Sequence, residues 1–202
     1  MSYMLKLDIS RAITALKNGD IIVYPTDTLY GLGADIYNIA AVKKVFKIKK
    51  RSFDNPLPVA ISDINELEKI AFLNKASRCL ARAFLPGRLT LVLRKKSIIP
   101  DIVTAGLEKV AVRIPDNKIA LELLSKFGPL TATSANIHGK KTPVIIKDIS
   151  MQFKQKDIGI YLDVGRLAGK PSTIVDASER NIKLVRLGAI SEKEILDAIQ
   201  YG

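Results

Sequence analysis

The sequence predicts an α/β or α+β fold, built on a large, twisted, mixed sheet flanked by helices. Three observations carry that expectation. Short β-branched apolar runs alternate along the whole chain with segments that keep apolar residues at helical spacing. Capping and turn residues stand at nearly every switch between the two patterns. Hydrophobic residues fill 48% of the 202 positions, enough for a substantial core. The spacing is too irregular for a TIM barrel. No repeat or linker divides the chain, so a single domain over 1–202 is expected.

Residues 9–18 read as a short amphipathic helix closed by Gly19. Ile21-Ile22-Val23 reads as a buried strand, and Pro25 ends it while keeping Tyr24 extended. A helix is expected over 38–50, with Ile39, Val42, Val45 and Phe46 on one face. A strand follows at 57–61. Asp63 with Glu66 has the form of a capping box and opens another helix. Residues 74–85 are helical up to Pro86-Gly87. Residues 89–93 and 110–114 are strand-like, 116–127 is helical up to Gly128-Pro129, and 130–133 is a short strand. Strands at 158–162, 172–175 and 182–185 precede a final helix capped by Ser191 and Glu194.

Composition narrows the function. Lys and Arg outnumber Asp and Glu by 32 to 20, a net charge of +12 that favours an anionic partner: nucleotide, RNA or both. No apolar run is long enough to span a membrane, and residues 1–8 lack a basic segment followed by an apolar one, so neither a membrane partner nor a secretory signal is expected. The single cysteine, Cys79, excludes an internal disulfide framework and fits a reducing cytoplasm. One histidine and scattered acids give no zinc-type ligand cluster. His138 follows the Ser-Ala-Asn turn and reads as a surface or rim residue, and with no G-x-S-x-G elbow covalent hydrolysis is not expected. The chain has no G-x-x-x-x-G-K-[ST] loop, and Gly31-Leu32-Gly33 lacks the third glycine of a dinucleotide fingerprint. Phosphates must then be held by cationic side chains and hydroxyls.

Such groups gather at strand ends. Tyr24-Pro25-Thr26-Asp27-Thr28 leaves the first strand with two hydroxyls and a carboxylate, where α/β sheets bind ligands. Gly31 and Gly33 follow, where a Cβ would block a close approach or a positive φ. An ordinary strand-to-helix loop is the competing reading. Lys47-Ile48-Lys49-Lys50-Arg51 ends the second helix; these cations complement the helix dipole, and Lys49 and Arg51 could also grip phosphate. Arg113 ends a buried strand and needs an anionic partner, from the protein or from a substrate. Arg186 occupies the same kind of position. Thr131-Ala132-Thr133-Ser134-Ala135-Asn136 and Ser172-Thr173 add hydroxyls. Together these suit an anionic small molecule that carries a carboxylate and phosphates.

The ordered motifs resemble those of the YrdC-type L-threonylcarbamoyladenylate synthase family. They are Tyr24-Pro-Thr-Asp-Thr-Leu-Tyr-Gly-Leu-Gly, Lys49-Lys-Arg51 with Asn55-Pro-Leu, Leu85-Pro-Gly with Leu89-Thr-Leu-Val-Leu, Val112-Arg-Ile-Pro, Pro129-Leu-Thr-Ala-Thr-Ser-Ala-Asn, Ser172-Thr-Ile-Val-Asp and Val185-Arg-Leu-Gly-Ala-Ile. The resemblance runs from about residue 10 to the end and is to the short, single-domain form. It implies an open YrdC-like fold with a cationic cavity. It also implies a nucleotidyltransferase that condenses L-threonine, bicarbonate and ATP into threonylcarbamoyl-AMP and pyrophosphate, for threonylcarbamoyladenosine modification of tRNA. By motif, Thr28, Arg113, Ala132 and Ser172 would bind threonine. Lys49, Arg51, Asn55, Ser134, Asn136, Thr142 and Arg186 would bind ATP, with Lys49 and Arg51 also lowering the repulsion between reacting anions. Mg2+ would arrive with ATP, with no protein-bound metal cluster. A threonylcarbamoyl transferase would take the product, and tRNA or double-stranded RNA is a further candidate partner. Three positions depart from the family pattern: Ala60 replaces a His common in long members, Arg88 a Pro, and Leu187 a Pro.

Two readings compete with this one. A basic RNA-binding module, acting in tRNA or ribosome maturation without nucleotide chemistry, would use the 47–51, 94–96 and 140–141 cation runs. Carbamoyl-adenylate chemistry for hydrogenase maturation comes with attached zinc-finger and acylphosphatase modules, and none is seen in this sequence.

Overall fold

The computed structural model describes residues 3–167 and 169–201. Met1, Ser2, Ala168 and Gly202, which fall inside the expected 1–202 domain, lie outside the described residues. In chain order the elements are α1 (Tyr3–Lys17), β1 (Ile22–Tyr24), β2 (Gly31–Gly33), α2 (Ile39–Lys49), β3 (Val59–Ala60), α3 (Ile64–Ile70) and β4 (Ala71–Phe72). There follow α4 (Lys75–Phe84), β5 (Leu89–Lys95), α5 (Asp101–Thr104), β6 (Lys109–Arg113), α6 (Lys118–Phe127), β7 (Leu130–Thr131) and β8 (Thr133–Ser134). The chain closes with α7 (Ile146–Ser150), β9 (Ile160–Tyr161), β10 (Thr173–Asp176), β11 (Lys183–Arg186) and α8 (Glu192–Tyr201).

Helices begin where a short polar side chain can satisfy the first free N–H groups. Asn38 accepts from Ala41, Asp63 from Asn65 and Glu66, and Asn117 from Ile119 and Ala120. Asn74 and Ser77 complete a reciprocal capping box on α4, and Ser191 and Glu194 do the same before α8. Four elements escape the sequence reading: β2, β4, α5 and α7. All are five residues or fewer.

The strands are mixed in direction, as expected, and their pairing resolves into two sheets. One has the order β8-β2-β1-β9. The larger runs β11-β10-β5-β6-β3-β7, with β4 on β5. The segment from Leu130 to Ser134 stitches them together. Leu130 pairs with Ala60 in the larger sheet, and Ser134 pairs with Gly31 in the smaller. Between them the Ala132 N–H donates to the Pro58 carbonyl at 2.7 Å.

This topology sets the functional groups side by side. In the larger sheet β6 runs parallel to β3, with Arg113 opposite Ala60. β11 returns antiparallel to β10, so Arg186 comes back to the end where Ser172 enters. β5 is parallel to β10 and antiparallel to β6, so Arg113 leaves at that same end.

The glycines of β2 serve packing. Tyr24 lies opposite Gly31 and Ile22 opposite Gly33. A Cβ on Gly33 would sit 3.0 Å from the Tyr24 ring and from Ile22 Cγ1, and one on Gly31 would sit 3.1 Å from the same ring. Neither glycine has a positive φ. The tyrosine ring takes up the space the glycines leave and joins Ile9, Leu16, Ala60, Leu123 and Leu130 in a core cluster under α1 and α6. Its hydroxyl donates to the Thr131 carbonyl at 3.2 Å, and burial raises its pKa. Gly33→Ala should therefore overpack a rigid site and cost about 1–3 kcal/mol. Chemical denaturation should show the midpoint falling without a change in slope.

Candidate functional site

The site is built from three groups of side chains. The first surrounds Lys49, whose side chain is buried although the residue ends α2. Its Nζ donates to the Ser134 carbonyl at 2.5 Å, the Asn136 carbonyl at 2.7 Å and Asn136 Oδ1 at 3.3 Å. Asn136 is itself fixed. Its Oδ1 also accepts from Ser134 Oγ at 2.6 Å, and its Nδ2 donates to the carbonyls of Ile137 and Lys140. The Lys49 carbonyl accepts from the His138 N–H at 2.7 Å. Helix α2 and the 134–140 turn thus hold each other from both ends of one residue. Burial, with the charge of Arg51 adding to it, lowers the Lys49 pKa from 10.5 to about 7. Three acceptors match the three protons of an ammonium and oppose that shift.

Arg51 stands just beyond the helix. Lys50 adopts the left-handed region at φ +52°, and the N–H groups of Lys50 and Arg51 return to the Lys47 and Phe46 carbonyls. That reversal turns the chain so that Arg51 reaches the Asn55 carbonyl from Nε at 3.0 Å and the Pro56 carbonyl from Nη2 at 2.9 Å. The Asn55 side chain is exposed. Burial lowers the Arg51 pKa.

The second group centres on Arg113. Its Nη2 donates to Asp27 Oδ1 at 2.5 Å and its Nη1 to Thr28 Oγ1 at 3.1 Å. Thr28 Oγ1 lies 3.0 Å from Thr26 Oγ1, which also accepts from the N–H groups of Thr28 and Leu29. The anionic partner that the sequence demands for Arg113 is thus a carboxylate of the protein. Sequence reading set Asp27 in the strand exit without assigning it a role.

The third group joins the ends of β10 and β11. Arg186 donates to the Ser172 carbonyl from Nε at 3.2 Å and from Nη2 at 2.8 Å, and Ser172 Oγ lies 2.9 Å from Thr90 Oγ1. Burial, and then the charge of Arg113, lower the Arg186 pKa, which places the two guanidinium groups near each other. Gly188 makes the approach feasible, since a Cβ there would fall 2.4 Å from the Ser172 carbonyl carbon. Thr90 stands in the Leu89-Thr-Leu-Val-Leu motif without an assigned role, and its place beside Ser172 comes from the β5–β10 pairing.

The remaining expected site residues are less tightly joined. Ala132 has its N–H committed to the Pro58 carbonyl. Thr142 is half-buried in the connection before α7, and among the described residues it shares no hydrogen bond with Lys49, Ser134 or Asn136. His138 is exposed, as a rim residue should be. Of the three departures, Ala60 is buried beside Arg113, while Arg88 and Leu187 are exposed. Among the described residues no three or more His, Cys, Asp or Glu side chains stand together as a metal site, and no helix is long and apolar enough to cross a membrane. The arrangement offers buried cations, hydroxyls and turn amides, the donor set for carboxylate and phosphate oxygens.

The Sua5/YciO/YrdC family model, described as "Telomere recombination", matches residues 14–188. A Methanocaldococcus jannaschii protein is 42% identical over 176 residues, covering 87% of this chain and 83% of its own length. The threonylcarbamoyl-AMP synthase of Bacillus subtilis is 38% identical over 190 residues, covering 93% of this chain and 55% of its own. The crystal structure of Pyrococcus abyssi Sua5 complexed with L-threonine superposes with a TM-score of 0.90 at 37% identity, covering 95% of this chain and 57% of that one. The chain therefore spans about half the length of the last two relatives.

The buried lysine has a consequence for stability. An unfolded lysine keeps its proton up to about 10.5, whereas Lys49 in the folded chain releases it near 7. Between those values the unfolded state binds more protons, so stability rises with pH. Urea unfolding across this window should show the native protein gaining up to about 1.4 kcal/mol per pH unit relative to Lys49→Met.

Proposed function

The chain belongs to the Sua5/YciO/YrdC family, and we propose that it is a threonylcarbamoyl-AMP synthase that serves tRNA modification. It joins L-threonine, bicarbonate and ATP into threonylcarbamoyl-AMP and pyrophosphate. The observation that carries the reading is the meeting of two kinds of cation site through one strand pair. Gly31 pairs with Ser134, so the loop that bears Thr28 at Arg113 adjoins the turn that cages Lys49.

In this reading Arg113 and Thr28 receive threonine, with Ser172 and the Ala132 carbonyl closing the pocket. Lys49, Arg51, Ser134 and Asn136 hold the ATP phosphates, and Asn55, Thr142 and Arg186 give further nucleotide contacts. The threonine amine attacks the carbon of bicarbonate, water leaves, and a carbamate forms. A carbamate oxygen then attacks the α-phosphorus of ATP, the bond to the β-phosphate oxygen breaks, and pyrophosphate departs. Every reactant is an anion or becomes one. Lys49 and Arg51, held in place before the reactants arrive, offset the repulsion and the developing charge by position and electrostatics. Mg2+ arrives on the ATP phosphates, where it would neutralise charge; the one carboxylate among these groups, Asp27, is tied to Arg113. A threonylcarbamoyl transferase receives the product, and the single cysteine suits work in the cytoplasm.

The RNA-binding alternative has less behind it. Lys49 and Arg51 reach backbone carbonyls, Lys95 is paired with Asp101, and Lys96 lies over the Phe72 ring. Lys49 and Lys95 are thus withdrawn from their runs, while Lys47, Lys50, Arg94, Lys140 and Lys141 stay exposed.

Pyrophosphate release from ATP should require both L-threonine and bicarbonate, and omitting either should return it to background. Turnover indifferent to threonine would exclude the synthase. Arg51→Ala should lower turnover by about 100-fold or more; near-normal turnover would remove Arg51 from the site.

A further inference from the structure

The Arg113–Asp27 pair is incomplete in a way that the synthase reading leaves unexplained. Their side chains are 8% and 7% exposed. Asp27 binds through Oδ1 alone, and Arg113 uses only Nη1 and Nη2. The two atoms left over, Asp27 Oδ2 and Arg113 Nε, are the only buried side-chain nitrogen or oxygen atoms without a hydrogen-bond partner among the described residues. Among the described residues the other buried side-chain nitrogen and oxygen atoms are hydrogen-bonded, and a charged group left unmatched is the most unfavourable kind. Both unmatched atoms fall in one ion pair, next to Thr28 and near Arg186.

Their chemistry specifies what completes them. Asp27 Oδ2 can only accept, and Arg113 Nε can only donate. A small molecule that satisfies both must present a donor and an acceptor a short distance apart, and opposite a carboxylate and a guanidinium a cationic N–H with an anionic oxygen makes the strongest match. An α-amino acid zwitterion does so. A plain carboxylic acid would match Arg113 and leave Asp27 bare, and it would add a second anion beside a buried one. From this, and resting on the synthase reading, we infer that Asp27 is a specificity-determining residue: it receives the α-ammonium group of the amino acid while Arg113 receives the carboxylate. Asp27 also holds that nitrogen at a defined end of the pocket, and the ammonium sheds one proton to solvent before it attacks as the amine. The pair thus reads both charges of the substrate.

The test compares L-threonine with 3-hydroxybutyrate, which keeps the carboxylate and hydroxyl but lacks the amine. Binding is measured by calorimetry on the full chain, with and without ATP, so turnover is not needed. The native protein should prefer threonine by at least about 100-fold. Asp27→Asn keeps a carbonyl oxygen for Arg113 but removes the charge. It should weaken threonine by about 30-fold or more, the usual consequence of removing one member of a buried charge pair. It should not weaken 3-hydroxybutyrate, whose carboxylate loses a buried anion beside it, and should leave ATP binding intact. Equal losses for both ligands would make Asp27 merely a support for Arg113 and overturn the inference, as would unchanged threonine affinity. Should Asp27→Asn not fold, the native ratio decides, and a preference below about 10-fold overturns it. The synthase reading fails separately, if threonine binds with this selectivity yet no threonine-dependent pyrophosphate appears.

Discussion

A buried cation has to be surrounded by oxygen, and Lys49 shows how much structure that requirement organises. Its ammonium has left water at the end of α2 and takes its acceptors from Ser134 and Asn136, 85 and 87 residues along the chain. Those oxygens converge only if the 134–140 turn is fixed, and Asn136 fixes it with four side-chain hydrogen bonds. The turn lies there only because β8 pairs with β2, and β2 lies there because two glycines let the Tyr24 ring pack across them. The chain of dependence therefore runs from a packing requirement in the core to the placement of a charge at the surface of the sheet.

The same logic repeats at the buried Arg113 with different acceptors, and the exposed Arg186 is held in a similar way. Arg113 is supplied with a carboxylate and a hydroxyl from the 25–28 loop, and Arg186 with the Ser172 carbonyl, reached because residue 188 has no side chain. Each of these two guanidinium groups is held by protein oxygens while it keeps donor capacity for another anion. A site of this kind is oriented before substrate binds, which is the condition under which electrostatics lowers a barrier most.

How far this could be read from the sequence depended on the range of the interactions. Asn38, Asp63, Asn74 and Ser191 were legible as helix starts because each cap closes within three residues. Gly31-Leu32-Gly33 was not legible as a strand. It is three residues long and rich in glycine, and the ring that makes it viable belongs to the strand opposite. That Arg113 needs an anion followed from its place at a buried strand end. That the anion is Asp27, 86 residues away, did not follow, because only the meeting of the two sheets brings them together. The motif resemblance supplied the residues of the candidate site, whereas the division into three groups and the roles of Thr26, Asp27 and Thr90 came from pairing and distance.

The central claim is that Lys49 is a desolvated cation kept for a phosphate-bearing ligand. Its titration can be followed directly by NMR on protein carrying 13C-labelled lysine, with Lys49→Met identifying the resonance. In the free protein one lysine should titrate near 7, well apart from the ordinary 10.5, and ATP with Mg2+ should move that titration upward by stabilising the ammonium. A Lys49 that titrates with the surface lysines, or one that does not respond to ATP, would contradict the account.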